Sequence, residues 1–192
     1  MSGADRRRQI LEAATEAVLQ RGLAQAATRD VTQAIGVGSG LLHHYFSSWA
    51  ELRAEAVRLT VAQEVQELKA LLSSLPARAA LERMADWMVE DDDMRHWRLW
   101  LNALDEAHRD PLLAEVMNAA MLEWHGLIAD LLRRAGAEQG RRSLDAEAAG
   151  WRLAAVMDGL AGALLVTGSV VTPPMARDAI RAQLRLELGE TD

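Results

Sequence analysis

The 192-residue chain contains no cysteine, which excludes disulfides, thiolate nucleophiles and Cys-ligated zinc. A cytoplasmic location fits that absence. Phe and Tyr occur once each and Pro four times, so the side chains that favour strands and the residue that breaks helices are both scarce. Catalytic signatures are missing too: there is no Gly-rich phosphate loop, no nucleophile elbow and no His-Glu-x-x-His zinc motif. Asp93-x-x-His96 and Asp105-x-x-His108 have the spacing of ligands on one helical face. Carboxylate-bridged metal bundles need paired Glu-x-x-His with further Glu on partner helices, and that set is absent. A helical metal-binding enzyme is therefore the reading these residues support least. No catalytic residue, metal or cofactor is expected.

Long uninterrupted apolar runs are also lacking. The stretch after Arg8 is broken by Glu12 and Glu16 and cannot act as a secretory h-region. Leu153–Val171 is nearly long enough to span a bilayer but contains Asp158. A central Asp costs about 2.5–3.5 kcal/mol on insertion, so a buried helix is expected there and no membrane partner. What the chain does have is hydrophobic mass, 50% of its residues, dominated by Ala and Leu with Glu and Arg beside them. That is the composition of an all-α protein with a sizeable core. The net charge is −7, unevenly spread: residues 1–60 carry seven Arg against six acids, and Arg6-Arg7-Arg8 opens the chain. The acidic remainder is compatible with DNA binding, which depends on the local patch, but offers no support for it.

About nine helices are expected. Ile10, Ala13, Ala14, Ala17 and Val18 trace one amphipathic face over Arg6–Arg21, and Gly22 stops it. Thr28 is placed to cap a short helix over Arg29–Ile35. Gly36-Val37-Gly38 makes a tight turn, and a third helix covers Ser39 to Tyr45 or Phe46. Ser48 and Glu51 form a capping box that starts a fourth at Trp49, running to about Leu72. Further helices are expected over Ala77–Val89, Met94–Ala107, Pro111–Ala135, Asp145–Val166 and Pro173–Leu188. Asp110-Pro111 and Thr172-Pro173 each supply an N-cap followed by proline at the first helical position. Gly136–Ser143 is expected to be the most flexible internal loop.

Two short helices about a glycine turn, residues 28–46, make a helix-turn-helix candidate. Leu42 and Phe46, four apart, share the buried face of its second helix. That leaves Ser39, Gly40, Leu41, His43 and His44 for the major groove: hydroxyl and imidazole groups for base edges or phosphates, and Leu41 for a thymine methyl. Short helices joined by glycine turns also occur in proteins that never touch DNA.

The run Arg8-Gln-Ile-Leu-Glu-Ala-Ala…Gly22, Thr28-Arg-Asp-Val…Ala34-Ile-Gly-Val, Gly40-Leu-Leu-His-His-Tyr-Phe and Glu51-Leu52 resembles the N-terminal domain of the TetR family over about fifty contiguous residues. Trp100-Leu…Ala107-His-Arg-Asp-Pro…Glu123-Trp, with Met157-Asp-Gly-Leu, further resembles its BetI-like branch. The resemblance implies a homodimeric, ligand-responsive regulator, repression being the commonest mode, that binds a palindromic operator and is released by a small molecule. Residues 1–48 would form the helix-turn-helix DNA-binding domain and residues 49–192 the ligand-binding and dimerisation domain. Thr28 and Arg29 would lie beside the DNA backbone, and Ser39, Gly40, Leu41, His43, His44 and Tyr45 would form the recognition helix. Two positions depart from the family: His43 stands where Tyr is usual, and Trp49 where Lys is usual. An indole N–H can still donate to a phosphate, but the point charge is gone.

The middle of the chain is rich in Trp and Met. Trp87, Met88, Trp97, Trp100, Met117, Met121, Trp124 and Met157 could build an adaptable apolar pocket, with Asn102, His125 and Asp158 orienting an effector. The same residues at helical spacing serve equally as core. Trp beside an acid suits an organic cation, and the BetI-like resemblance leans towards a quaternary or polyamine-type one; an apolar effector is the other class. The stretch Asp145–Val166 is apolar on nearly all sides, which fits either a central core helix or an interface helix. The family dimerises through its last two helices, which implies Trp151, Leu160, Leu164, Ile180 and Leu184 at a dimer interface. A rival reading is a helical interaction module that has lost DNA binding, favoured by Trp49 and the acidic total.

Overall fold

The computed structural model describes residues 2–90, 94–140 and 144–190. Those residues form nine α-helices and no strand: α1 Gly3–Arg21, α2 Thr28–Ile35, α3 Ser39–Tyr45, α4 Trp49–Leu72, α5 Ala77–Glu90, α6 Arg95–Ala107, α7 Pro111–Glu138, α8 Ala146–Leu164 and α9 Pro173–Leu188. They pack as two compact units. One holds the described residues up to Glu64 together with Arg98–Ala120, and the other holds Val65–Trp97 and the described residues from Met121 onward.

In the first unit each helix start has a local cause. Ser2 accepts from the Asp5 amide while the Asp5 carboxylate accepts from the Ser2 amide, so α1 begins three residues before the expected Arg6. Thr28 is not the cap of α2 but its first helical residue; Ala27 precedes it, and the Asp30 carboxylate takes the Ala27 amide at 2.9 Å. Gly36 closes α2 in the left-handed conformation, φ +67°, where a Cβ would cost about 1–2 kcal/mol. Ser48 accepts from the Glu51 amide at 3.1 Å, as expected, but Glu51 reaches back to the Ser47 amide instead of that of Ser48. The core is Ile10, Ala14, Val31, Leu42, Phe46, Leu52 and Ala56, drawn from α1 to α4. Burying each large member contributes about 1.5–3 kcal/mol.

Asp110 does two jobs in this unit. One carboxylate oxygen caps α7 through the Leu112 and Leu113 amides, and the other takes Arg53 of α4 at 2.6 Å. A second arm of the same guanidinium reaches Glu106 at 3.3 Å. Burial works against the charge on Asp110, but Arg53 and the two amides together outweigh it and hold the carboxyl below its usual range.

The second unit is built on α5, α8 and α9, with α9 packed against both of the others. Leu68, Leu81, Met84, Met88, Ile128, Leu132 and Leu153 are among its fully buried side chains. Gly150 lets α8 approach α7: a Cβ there would lie 3.2 Å from that of Ala129. Ion pairs rim this core, including Arg78 to Glu190 at 2.9 Å and Arg181 to Asp86 at 2.8 Å. Helix α7 runs three residues past the expected Ala135. Gly136 is buried and Glu138 accepts from the Ala77 amide at 3.2 Å; this packing outweighs the roughly 1 kcal/mol that a glycine costs a helix. The Gly136–Ser143 loop expectation therefore fails as far as Glu138, and residues 141–143 lie outside the described residues. So does Asp93 of the Asp93-x-x-His96 pair.

Candidate nucleic-acid interface and effector residues

Helices α2 and α3 are short, and what holds them is the core beneath. Leu42 and Phe46, four apart, point inward and are nearly fully buried. That choice of face decides the rest of α3: Ser39, Gly40, His43 and His44 are exposed, and Leu41 and Tyr45 are half-buried. A Cβ on Gly40 would meet nothing within 4 Å, so the chain's own packing does not require a glycine there. Thr28 is half-buried and Arg29 exposed at the start of α2, and Trp49 is half-buried at the start of α4. Among the described residues no carboxylate pairs with Arg29, His43 or His44; the contact recorded for His44 is the edge of the Tyr45 ring, centroids 5.0 Å apart.

The N-terminal arginines have structural tasks that sequence reasoning missed. Arg7 lies 4.6 Å over the Phe46 ring and reaches Glu55 at 3.5 Å, bracing α3 and α4 from α1. Arg6 donates to Gln9 at 2.7 Å. An exposed groove of about 540 Å³ between α1 and α2 is lined by polar side chains including Gln9, Glu12, Glu16 and Gln33, on residues outside the expected reading face.

The residues expected to bind an effector divide between the units. In the first, Trp100 and Met117 are buried, whereas Asn102 is exposed on α6. In the second, Trp87, Trp97 and Trp124 form a cluster with centroids 6.1–6.4 Å apart. His96 joins it, 4.7 Å from Trp87; its place at the start of α6 is the signal that could have included it. The Trp97 N–H donates to the Met88 carbonyl at 3.1 Å, while that of buried Trp124 has no hydrogen-bond partner among the described residues. Met88 and Met157 are fully buried, and Met121 and Asp158 half-buried. The His125 ring lies against Trp151 on α8, their centroids 3.5 Å apart. Burial lowers its imidazole below the ordinary value, with the Met121 backbone working the other way. No group of three His, Asp or Glu able to hold a metal is present among the described residues.

Helix α8, expected as either a core helix or an interface helix, is only partly covered by its own chain. Trp151, Ala155, Gly159 and Val166, just past its end, leave one side exposed, and Leu160 and Leu164 are half-buried. On α9 the expected interface residues Ile180 and Leu184 are each 1% exposed, turned into the chain's own core. The exposed apolar side chains of α9 are Met175, at 55%, and Leu186, at 72%. No described helix is long and apolar enough to cross a membrane.

Two family profiles match this chain: the bacterial regulatory proteins of the tetR family over residues 10–56, and the C-terminal domain of BetI-type transcriptional repressors over residues 77–189. Among curated proteins it is 28% identical to the HTH-type transcriptional regulator PksA of Bacillus subtilis over 165 residues, 81% of this chain and 77% of that one. It is 26% identical to the HTH-type transcriptional regulator BetI of Escherichia coli over 187 residues, 92% of this chain and 90% of that one. A crystal structure of a transcriptional regulator from Saccharomonospora viridis in complex with choline superposes with a TM-score of 0.80 at 26% identity, covering 93% of this chain and 95% of the other. With its helix-turn-helix and C-terminal helices both matched, the chain belongs to the TetR family with a BetI-type C-terminal domain, and is a transcriptional regulator carrying an N-terminal DNA-binding domain.

Proposed function

We propose that the protein is an effector-responsive repressor that reads a palindromic operator as a homodimer, with residues 1–48 as the DNA-reading part and residues 49–192 serving effector binding and dimerisation. The observation that carries this is the split of α3, with Leu42 and Phe46 sunk in the core and Ser39, Gly40, His43 and His44 turned outward without a carboxylate partner. Leu41 and Tyr45 flank that face, and Thr28, Arg29 and Trp49 border it as phosphate contacts. Two such helices fit successive major grooves when carried by a two-fold dimer. The exposed side of α8 at Trp151, Ala155 and Gly159 supports the dimer: small residues permit close helix approach, and Trp151 supplies the buried area. Met175 and Leu186 replace Ile180 and Leu184 as the α9 contribution.

The effector class is an organic cation. Trp87, Trp97 and Trp124 with His96 offer aromatic faces within one unit, which attract a desolvated cation by about 2 kcal/mol per good contact. Choline in the Saccharomonospora viridis regulator supports the same class. Effector binding would act on operator affinity only through its different affinities for the DNA-competent and incompetent forms. A mobility-shift titration against duplexes selected from a random pool tests the reading, with choline added in a second series. Selective binding, weakened by Arg29→Ala and His44→Ala, is the expected outcome. Unselective binding sinks the DNA reading; choline saturation with operator affinity unchanged sinks the effector reading.

A further inference from the structure

The segment from Thr28 to Phe46 holds one arginine and one aspartate, Arg29 and Asp30, and two histidines, His43 and His44. With neutral imidazoles its formal charge is zero, in a protein whose net charge is −7. DNA binding rests on cations placed against phosphates, and Trp49 beside this segment offers only an indole N–H. We propose that His43 and His44 are proton-dependent DNA contacts: the reading face gains its positive charge by taking up protons as it binds, so that operator affinity rises as pH falls. The proposal rests on the DNA reading given above and adds to it a dependence on pH.

The geometry supports this in two ways. Both histidines are exposed on the face of α3 opposite Leu42 and Phe46. Most acids on the elements packed around α3 are also already engaged. On α2, Asp30 holds the Ala27 amide and Arg21. On α4, Glu51 holds Ser47, and Glu55 holds Arg58 and Arg7. On α1, whose Gly3 approaches the Tyr45 hydroxyl, Asp5 holds Ser2. Also on α1, Glu16 takes the Gln20 amide, and Glu12 lines the groove against α2, whose lining includes no residue of α3. The other charged groups on α1 and α2 are cations, Arg6 to Arg8, Arg21 and Arg29, and the other titratable group on α3 is Tyr45. Among the described residues no carboxylate pairs with His43 or His44, so a DNA phosphate is the anion that an imidazolium there would take. Histidine is the side chain whose charge changes between about pH 5 and 8. By linkage, a ligand that prefers the protonated form loses affinity as pH rises, by up to one power of ten per pH unit for each proton taken up.

The test is fluorescence anisotropy of a duplex selected from a random pool by the full-length protein at pH 6, measured at constant ionic strength from about pH 6 to 8. Wild type is expected to weaken at least about tenfold across that range, with a steeper salt dependence at the acid end, because each added phosphate contact releases further counterion. His43→Gln with His44→Gln should bind with little pH dependence and more weakly than wild type at pH 6. His108→Gln, on an exposed residue just past the end of α6, should keep the wild-type slope, and circular dichroism confirms that each variant is folded. Tight, selective binding by wild type that is indifferent to pH overturns the proton linkage and leaves the DNA reading standing. A slope that survives in the folded double variant also overturns it. Absence of selective binding at every pH overturns the DNA reading itself, and the linkage with it.

Discussion

Arg53 is the residue whose task is easiest to state and hardest to have guessed. Its guanidinium joins α4 to Glu106 and to Asp110, and Asp110 also caps α7. Nothing in a sequence pairs positions 53 and 110; the cap was legible from Asp110-Pro111, the ion pair was not. Arg53→Met should destabilise the protein by about 3 kcal/mol near neutral pH, because it leaves a largely buried carboxylate without its cation. The sign with pH follows from the depressed folded-state value of Asp110. Its contribution is fully present above the unfolded value of about 4 and is lost as pH falls through the lower folded value. The gap between variant and wild type in urea midpoint should therefore be widest at neutral pH and narrow under acid; a gap that widens towards acid contradicts the pairing. Leu42→Ala, in the core under the reading helix, should cost about 3 kcal/mol and weaken DNA binding without touching an exposed residue, checked by thermal melting beside a mobility shift.

Helix boundaries were legible wherever a cap fixes them, as at Trp49, Pro111 and Pro173. They were missed where a less obvious partner intervenes: Ser2 and Asp5 lengthen α1, and packing around Gly136 lengthens α7. The outward face of α3 followed from two apolar residues four apart, since burying them fixes where every other side chain points. Gly36 is needed for its positive φ, and Gly36→Ala should destabilise by about 1–2 kcal/mol, seen as a lower melting temperature. Helix α8 shows the limit of composition. Its hydrophobicity on nearly every side fitted a core helix or an interface helix alike; the single chain leaves Trp151, Ala155 and Gly159 exposed, which apolarity alone could not foretell. Trp151→Glu should shift the protein from dimer to monomer in sedimentation while helicity is retained; a variant that stays dimeric removes α8 from the interface.

For the whole molecule, the order of helices was readable from caps and periodicity along the chain and the family from fifty N-terminal residues with glycines in register, whereas the arrangement of the tryptophans was not. Periodicity found the tryptophans but could not show that Trp87, Trp97 and Trp124 gather while Asn102 is exposed and His125 pairs with Trp151. Those contacts join helices far apart in sequence. If the cluster receives an organic cation, choline should change the tryptophan emission of wild type, and Trp124→Leu should weaken that response at least about tenfold, the loss of one desolvated cation–π contact. The response persisting in the variant would move the effector elsewhere.

The most direct measurement is the affinity of the purified protein for its selected duplex at two salt concentrations, about 50 and 200 mM, for wild type and Arg29→Ala. Selective binding that falls steeply with salt, with a shallower slope by about one in the variant, is what a DNA-reading face on α2 and α3 predicts. Binding that ignores sequence, or a salt slope unaltered by removing Arg29, contradicts it.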